Sequence, residues 1–296
     1  MSDKIGPLIQ SAKTGDMVAF AKLLTAIENE GVRSLNHADL LHPKHSALRI
    51  GITGPPGSGK STLISELLKF ATRNYKKVGI VAVDPSSPIT QGAILGDRIR
   101  YAEHSLQSNV FIRSLGTRGS LGGLSSSAYL MLRAFDLCEF DLVLIETVGV
   151  GQVEVEIMHV ADYIVVVLVP ESGDSIQAMK AGVLEIADLF VVNKKDRPGA
   201  EVLKKEIEAS VALSSNLKNV QVLLTSAQSG EGVAELMAHL QSAVDVSKIH
   251  LNREKPVRLQ HEAKALLRHQ LDQKAERLVV RISSPAEMLK VLLQDI

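Results

Sequence analysis

The stretch "ALRIGITGPPGSGKST", residues 47–62, constrains this chain more than any other. An apolar strand pattern runs into Gly54-Pro55-Pro56-Gly57-Ser58-Gly59-Lys60-Ser61-Thr62, and a helix pattern starts at once. This is G-x-x-x-x-G-K-[ST] in the strand–loop–helix context that the motif requires. Glycines let a backbone wrap tightly and aim its N–H groups at phosphate oxygens. The helix that follows adds its positive dipole end. Lys60 is expected to neutralise the β- and γ-phosphates of a nucleotide, and Ser61 to offer its hydroxyl to Mg²⁺. The bland alternative is a glycine-rich turn before a helix, and the complete motif in context weighs against it.

The rest of the chain suits a fold that carries such a loop. Strand candidates are Leu48–Thr53, Val78–Val83, Val110–Ser114, Leu142–Ile145, Ile164–Val169, Leu189–Val192 and Val220–Thr225. Most are continuous apolar runs, as expected for strands covered on both faces. Helix patterns at Ser61–Arg73, Ser125–Phe135, Asp174–Ile186, Glu201–Leu213 and Gly232–Val244 alternate with them. The alternation predicts an α/β fold with a mostly parallel, doubly wound sheet. Ligands bind such sheets at the carboxyl ends of the strands. We divide the chain into an N-terminal helical extension, residues 1–46, a nucleotide domain, 47–247, and a C-terminal helical extension, 248–296. In the last, Leu266, Leu267, Leu271, Leu278 and Val279 recur at roughly helical spacing.

A second motif selects the base. The apolar run "ADLFVV" ends in Asn193-Lys194-Lys195-Asp196, which is N-K-x-D. A carboxylate at Asp196 can accept both N1–H and the exocyclic amine of guanine. Adenine presents a bare acceptor at N1, so the same carboxylate would stand unpaired, and sites of this kind reject the wrong partner by about 10⁴–10⁵. Lys194 would lie along the base plane, and Asn193 would tie the loop together. Ser226-Ala227-Gln228 close another strand in "VLLTSAQSGEG", and their N–H groups are expected to face the guanine O6. GTP and GDP are therefore favoured over ATP.

Three acids fall at or just beyond strand ends: Asp84 after "KVGIVAV", Asp97 in "QGAILGDRIR" and Glu146 in "DLVLIETVGVGQVEVE". Mg²⁺ keeps several waters and takes few carboxylates, so one of the three can orient a water rather than touch the metal. Glu146-Thr147-Val148-Gly149 occupies the place of the D-x-x-G segment that responds to the γ-phosphate in many nucleotide switches. Gln152 is a candidate for holding the attacking water, and a polar contact with a partner fits it equally. Lys60, Asp97 and Gln152 are the candidate catalytic residues.

Composition excludes several classes. Lys+Arg and Asp+Glu each total 33, so the net charge is zero, and a nucleic-acid partner, which calls for a basic stripe, is not expected. The single cysteine, Cys138, gives no disulfide framework and no CxxC pair, and is expected to be buried. No apolar run approaches a membrane span, and the N-terminal stretch "MSDKIGPLIQSAKTGD" lacks the apolar core of a signal peptide. A cytoplasmic setting is the expectation.

Taken together, "GITGPPGSGKST", "VAVDPSSP", "GAILGDRIR", "ETVGVGQ", "GDSIQAMKAGVLEIADLFVVNKKD" and "TSAQSGEG" closely resemble the methylmalonyl-CoA mutase-associated GTPases of the MeaB/ArgK type, a branch of the P-loop GTPases. The resemblance runs from about residue 8 to residue 245. It implies a P-loop NTPase sheet and a GTPase that assists an adenosylcobalamin-dependent acyl-CoA mutase, gating cofactor loading and protecting the mutase. It implies that Ser61, Asp84, Asp97 and Glu146 form the magnesium environment. It further implies a first switch at 84–100, a second at 146–156, and a third at 171–187 in which Gln177 and Lys180 signal to the mutase. Gln91 stands where the family usually has glycine, and Val153 where serine is usual. A homodimer built by a C-terminal arm is usual in the family, but this chain lacks the arm's tryptophan.

Two other classes compete. A metal-delivery GTPase of the nickel-insertase type calls for a His-rich run or a Cys/His cluster, whereas the nine histidines here are scattered. A phosphotransferase calls for a separate acceptor site, which no motif supplies.

Overall fold

The computed structural model describes residues 5–30, 38–84, 101, 103–104, 107–116, 126–147, 156–170, 184–213, 220–243 and 256–279. Seven strands form one sheet: β1 (Leu48–Thr53), β2 (Val78–Asp84), β3 (Val110–Gly116), β4 (Leu142–Thr147), β5 (Tyr163–Leu168), β6 (Leu189–Val192) and β7 (Gln221–Leu224). The spatial order is β3-β2-β4-β1-β5-β6-β7, and every pairing is parallel. All seven expected strands are present, and among the described residues the expected mostly parallel sheet has only parallel pairings.

The continuous apolar runs have a physical cause, because the sheet is buried on both sides. In β4, Val143 and Ile145 face one core, while Leu142 and Leu144 face the other. On the latter side lie α4 (Lys60–Asn74), with Leu63, Ile64, Leu67 and Leu68, and α7 (Val233–Ala243), with Leu236 and Leu240. On the other side lie α5 (Ser126–Leu137) and α6 (Ala200–Leu213), together with the N-terminal helices α1 (Ile5–Lys13) and α2 (Met17–Glu30). A short helix, α3 (Ala38–Leu41), precedes β1 and buries Leu40 in the same core.

The N-terminal helices are integral to that core. Phe20 of α2 is fully buried, and its ring lies 4.7, 5.1 and 5.1 Å from those of Phe111, Phe135 and Phe140. The first two are edge-to-face, and such pairs add about 0.5–1.5 kcal/mol each beyond the area they bury. Cys138 is buried close by, and burial pushes its thiol up to about 11. Beneath the same layer Arg49 of β1 pairs with Asp136 of α5, and Asp136 also accepts the Ala47 N–H at 2.9 Å.

The C-terminal helix α8 (Pro256–Val279) docks on α5 and on a single 3-10 turn, Ile157–His159. Arg133 of α5 grips Glu262 with two nitrogens at 2.6 and 2.7 Å. Arg258 donates to the Ala161 carbonyl at 2.7 Å, and His261 stacks on His159 with ring centroids 3.6 Å apart. Leu266 packs toward the core, but Leu267 and Leu271 of the expected apolar stripe are 58% and 65% exposed. The polar contacts, not a leucine stripe, set how this helix sits. Of the helix expected at Asp174–Ile186, the described residues include only Leu184–Ile186, one turn of 3-10 helix.

Among the described residues, no helix is long and apolar enough to cross a membrane.

Candidate nucleotide site

The phosphate loop leaves β1 at the point where the sheet order turns, with β4 on one side and β5 on the other. Gly54 has φ +140°, and a Cβ there would lie 2.1 Å from the Val167 carbonyl oxygen of β5. Only glycine lets the chain pass that close. Gly59 has φ +85° and serves as the N-cap of α4 without a side-chain cap. The first turn of α4 thus faces the loop, a ready anion cradle. Lys60 is buried and curls over the loop, donating to the Gly54 and Pro55 carbonyls at 2.8 and 3.0 Å. The Ser58 hydroxyl is buried with no hydrogen-bond partner among the described residues. Thr62 is exposed on the first turn of α4.

Strand β4 runs two residues beyond its apolar part, so Glu146 and Thr147 belong to the ladder itself. Glu146 is in register with Ile52 of β1 and Ala82 of β2, and is 4% exposed. A carboxylate in such a place needs partners. It has two hydroxyls: Ser61 donates to Oε1 at 2.5 Å and Tyr101 to Oε2 at 2.5 Å. Thr147 donates to Thr53 at 2.9 Å, tying the ends of β4 and β1 together. Asp84 ends β2 opposite Gly116 of β3, at the same edge of the sheet.

The loops after β6 and β7 are locked to each other and to the phosphate loop. Asn193 is 2% exposed. Its Nδ2 donates to the Ser58 carbonyl at 2.9 Å, and its Oδ1 accepts the Ala227 N–H at 3.0 Å and the Thr225 hydroxyl at 3.2 Å. A Cβ at Gly59 would lie 2.5 Å from that Nδ2, so the tie itself requires glycine there. Lys194 adopts φ +58°, uncommon for a residue with a side chain. Lys195 pairs with Glu231 across the two loops. Asp196 is exposed and accepts the Ser226 hydroxyl at 2.8 Å.

Most of the expected site residues therefore converge on one edge of the sheet. Gly54–Thr62, Glu146 and the backbone of Asp84 gather around the ends of β1, β2 and β4, and Asn193, Lys194, Asp196, Ser226, Ala227 and Gln228 around those of β6 and β7. One expectation is altered. The Ser226 N–H donates to the Glu231 carbonyl at 2.9 Å, closing a small bridge, and that of Ala227 turns to Asn193. Of the three N–H groups expected to face the base, these two are engaged inside the protein. Asp97, Gln152, Gln177 and Lys180 lie outside the described residues, as does the Asp84 side chain. Sequence reasoning missed Tyr101, which belongs to no motif and lies 45 residues from Glu146 in the chain.

The donors suit the ligands they are expected to hold. Positive-φ glycines, an uncapped helix start and an unpartnered Ser58 hydroxyl fit a phosphate chain. Ser61 and Glu146 supply the hard oxygen donors that Mg²⁺ takes.

A family model described as methylmalonyl Co-A mutase-associated GTPase MeaB matches residues 20–280. The Pyrococcus horikoshii protein PH0274 is 45% identical over 238 residues, which is 78% of this chain and 75% of that protein. A mouse protein named methylmalonic aciduria type A homolog, mitochondrial, is 35% identical over 246 residues, 75% of this chain and 59% of its own length. Among solved structures, a crystal structure described as LAO/AO transport system kinase shares the fold, with TM-score 0.67 at 23% identity over 95% of this chain and 88% of that one. The phosphate loop, the coupled base loops and these likenesses agree, and the chain belongs to the methylmalonyl-CoA mutase-associated GTPase family, MeaB.

Proposed function

We propose that this protein binds GTP with Mg²⁺, hydrolyses it to GDP and phosphate, and uses the cycle to regulate cofactor loading and protection of an adenosylcobalamin-dependent acyl-CoA mutase. The observation that carries the nucleotide reading is Asn193, whose amide joins the phosphate loop to both base loops. A side chain in that position makes phosphate binding and base recognition one rigid unit. The family match supports the mutase as partner.

In this reading Lys60 leaves the Gly54 and Pro55 carbonyls for the β- and γ-phosphate oxygens. Ser61 and Glu146 hold the magnesium side, with Asp84 and Asp97 completing it. Mg²⁺, when bound, neutralises charge on the β- and γ-phosphates. Asp196 and Lys194 read the guanine, and Gln152 orients either the attacking water or the partner. Gln177 and Lys180 carry the signal to the mutase. The sheet domain, residues 47–247, does this work, and the flanking helices at 1–46 and 248–296 support it, the latter offering a homodimer contact. A reducing, cytoplasmic setting accords with the lone buried thiol of Cys138.

The test is a pull-down from the native cell with protein loaded separately with GDP and GTP. A mutase subunit captured in a nucleotide-dependent way is the expected result. Capture of no mutase in either state would overturn the partner assignment.

A further inference from the structure

We propose that Tyr101 is a positioning residue for Glu146, setting the orientation of the magnesium-side carboxylate through its phenolic hydroxyl. The inference rests on the magnesium–guanine nucleotide reading above.

Three observations carry it. The first is the contact itself. Tyr101 donates to Glu146 Oε2 at 2.5 Å, within the short range of hydrogen bonds to an ionised acceptor. Ser61 donates to the other oxygen, Oε1, also at 2.5 Å. Each carboxylate oxygen thus carries one hydroxyl, and the plane of the group is fixed by two donors from different elements. With its hydrogen directed at Glu146, the Ser61 hydroxyl would present oxygen rather than hydrogen to a cation. Remaining lone pairs on the carboxylate can take the hydrogens of metal-bound waters.

The second observation is how the tyrosine is held. Tyr101 is 0% exposed and sits in the same core as Leu63, Leu67, Ile80 and Val110. Its backbone is tied to β3 by a relay of turns. His104 N–H donates to the Tyr101 carbonyl at 3.0 Å, Gln107 N–H to that of His104 at 3.1 Å, and Val110 N–H to that of Gln107 at 3.1 Å. A hydroxyl delivered from such a base has little freedom to follow the carboxylate, so the carboxylate follows it.

The third is the choice of partner. A buried tyrosine hydroxyl usually finds some acceptor, and a backbone carbonyl would satisfy it. This one meets the carboxylate that is already bonded to Ser61 of the phosphate loop. Outer partners of metal-side ligands orient them, and their loss commonly weakens metal binding by about 10- to 100-fold.

The experiment uses the full chain and a fluorescent GDP. Wild type and Tyr101→Phe are compared for GDP affinity in EDTA and for the Mg²⁺ concentration that half-maximally slows GDP release. The expected result is a half-saturating Mg²⁺ raised about tenfold or more, with GDP affinity in EDTA unchanged. In a Glu146→Gln background the same change is expected to add nothing, because the residue through which it acts is already altered. An unchanged Mg²⁺ requirement would overturn the proposal. So would a loss of EDTA affinity in step with the Mg²⁺ effect, or full additivity with Glu146→Gln, since either marks a merely structural tyrosine. Failure of the underlying reading looks different: wild type itself would bind GDP without regard to Mg²⁺, or not at all.

Discussion

The amide of Asn193 donates to the carbonyl of Ser58 at 2.9 Å, joining two loops that are 135 residues apart in the chain. The same side chain accepts the Ala227 N–H, so one residue spaces the phosphate loop from the base loops. Asn193→Ala leaves both backbone groups buried without that partner, and each such loss costs about 1–3 kcal/mol. We expect a lowered melting temperature and weaker binding of both GDP and GTP. Calorimetric titration and thermal melting measure the two effects. Asn193→Asp should weaken binding as well, because a carboxylate then faces the Ser58 carbonyl. Undiminished affinity in both variants would remove Asn193 from its coupling role.

Asp196 tests base selection separately from loop architecture. It is exposed and accepts the Ser226 hydroxyl, a single surface contact among the described residues, so Asp196→Asn should leave the fold intact. The new amide can donate where xanthine presents an oxygen and guanine presents an amine. Preference should therefore move from guanine toward xanthine nucleotides, read by competition binding. GTP binding untouched by the substitution would mean that Asp196 does not read the base.

The Arg49–Asp136 pair lies at the amino end of β1, with side chains 9% and 4% exposed. Asp136→Ala takes the carboxylate from a buried guanidinium and the acceptor from the Ala47 N–H. Loss of one partner of a buried pair costs about 3–5 kcal/mol, and the urea midpoint should fall accordingly. Replacing both residues with apolar ones of similar volume, Arg49→Met with Asp136→Leu, should recover most of that loss. A single variant as stable as wild type would contradict the assignment.

Acid should loosen the C-terminal helix. Burial, then the charges of His261 and Arg258, push His159 down to about 4 from its ordinary 6.5. The folded state holds this imidazole neutral, while the unfolded chain protonates it near its ordinary value. Its contribution is therefore complete above pH 6.5 and is lost as pH falls through about 4. Two ion pairs, Arg258–Asp162 and Arg133–Glu262, hold the same helix. Thermal melts between pH 6.5 and 4 should show stability falling with pH, and His159→Phe should flatten that slope while keeping a ring against His261. Equal slopes in both proteins would mean that His159 does not carry the acid sensitivity.

How much of this could be read beforehand depends on the range of the interaction. The strands were legible because burial on both faces leaves continuous apolar runs, as in "LVLI" of β4 and "LFVV" of β6. The phosphate loop and N-K-x-D were legible because their chemistry is local in sequence. Glu146 stood out as an acid ending an apolar run, but its second partner did not. Tyr101 follows "GDRIR" with nothing to mark that its ring folds into the core and its hydroxyl returns to β4. The seat of α8 was hidden for the same reason. Spacing suggested a leucine stripe, whereas the helix is fixed by Arg133–Glu262, Arg258–Ala161 and His159–His261, each joining residues about a hundred positions apart. Arg49–Asp136 is likewise a contact of topology, made only once β1 and α5 are stacked.

The central claim, that a guanine-nucleotide switch serves a cobalamin-dependent mutase, is met most directly by one measurement. GTP hydrolysis in Mg²⁺ is followed with and without the methylmalonyl-CoA mutase of the same cell, with Lys60→Ala as the blank. The account predicts slow basal turnover that rises when the mutase is added and is abolished in Lys60→Ala. Turnover equally fast with and without the mutase would contradict it.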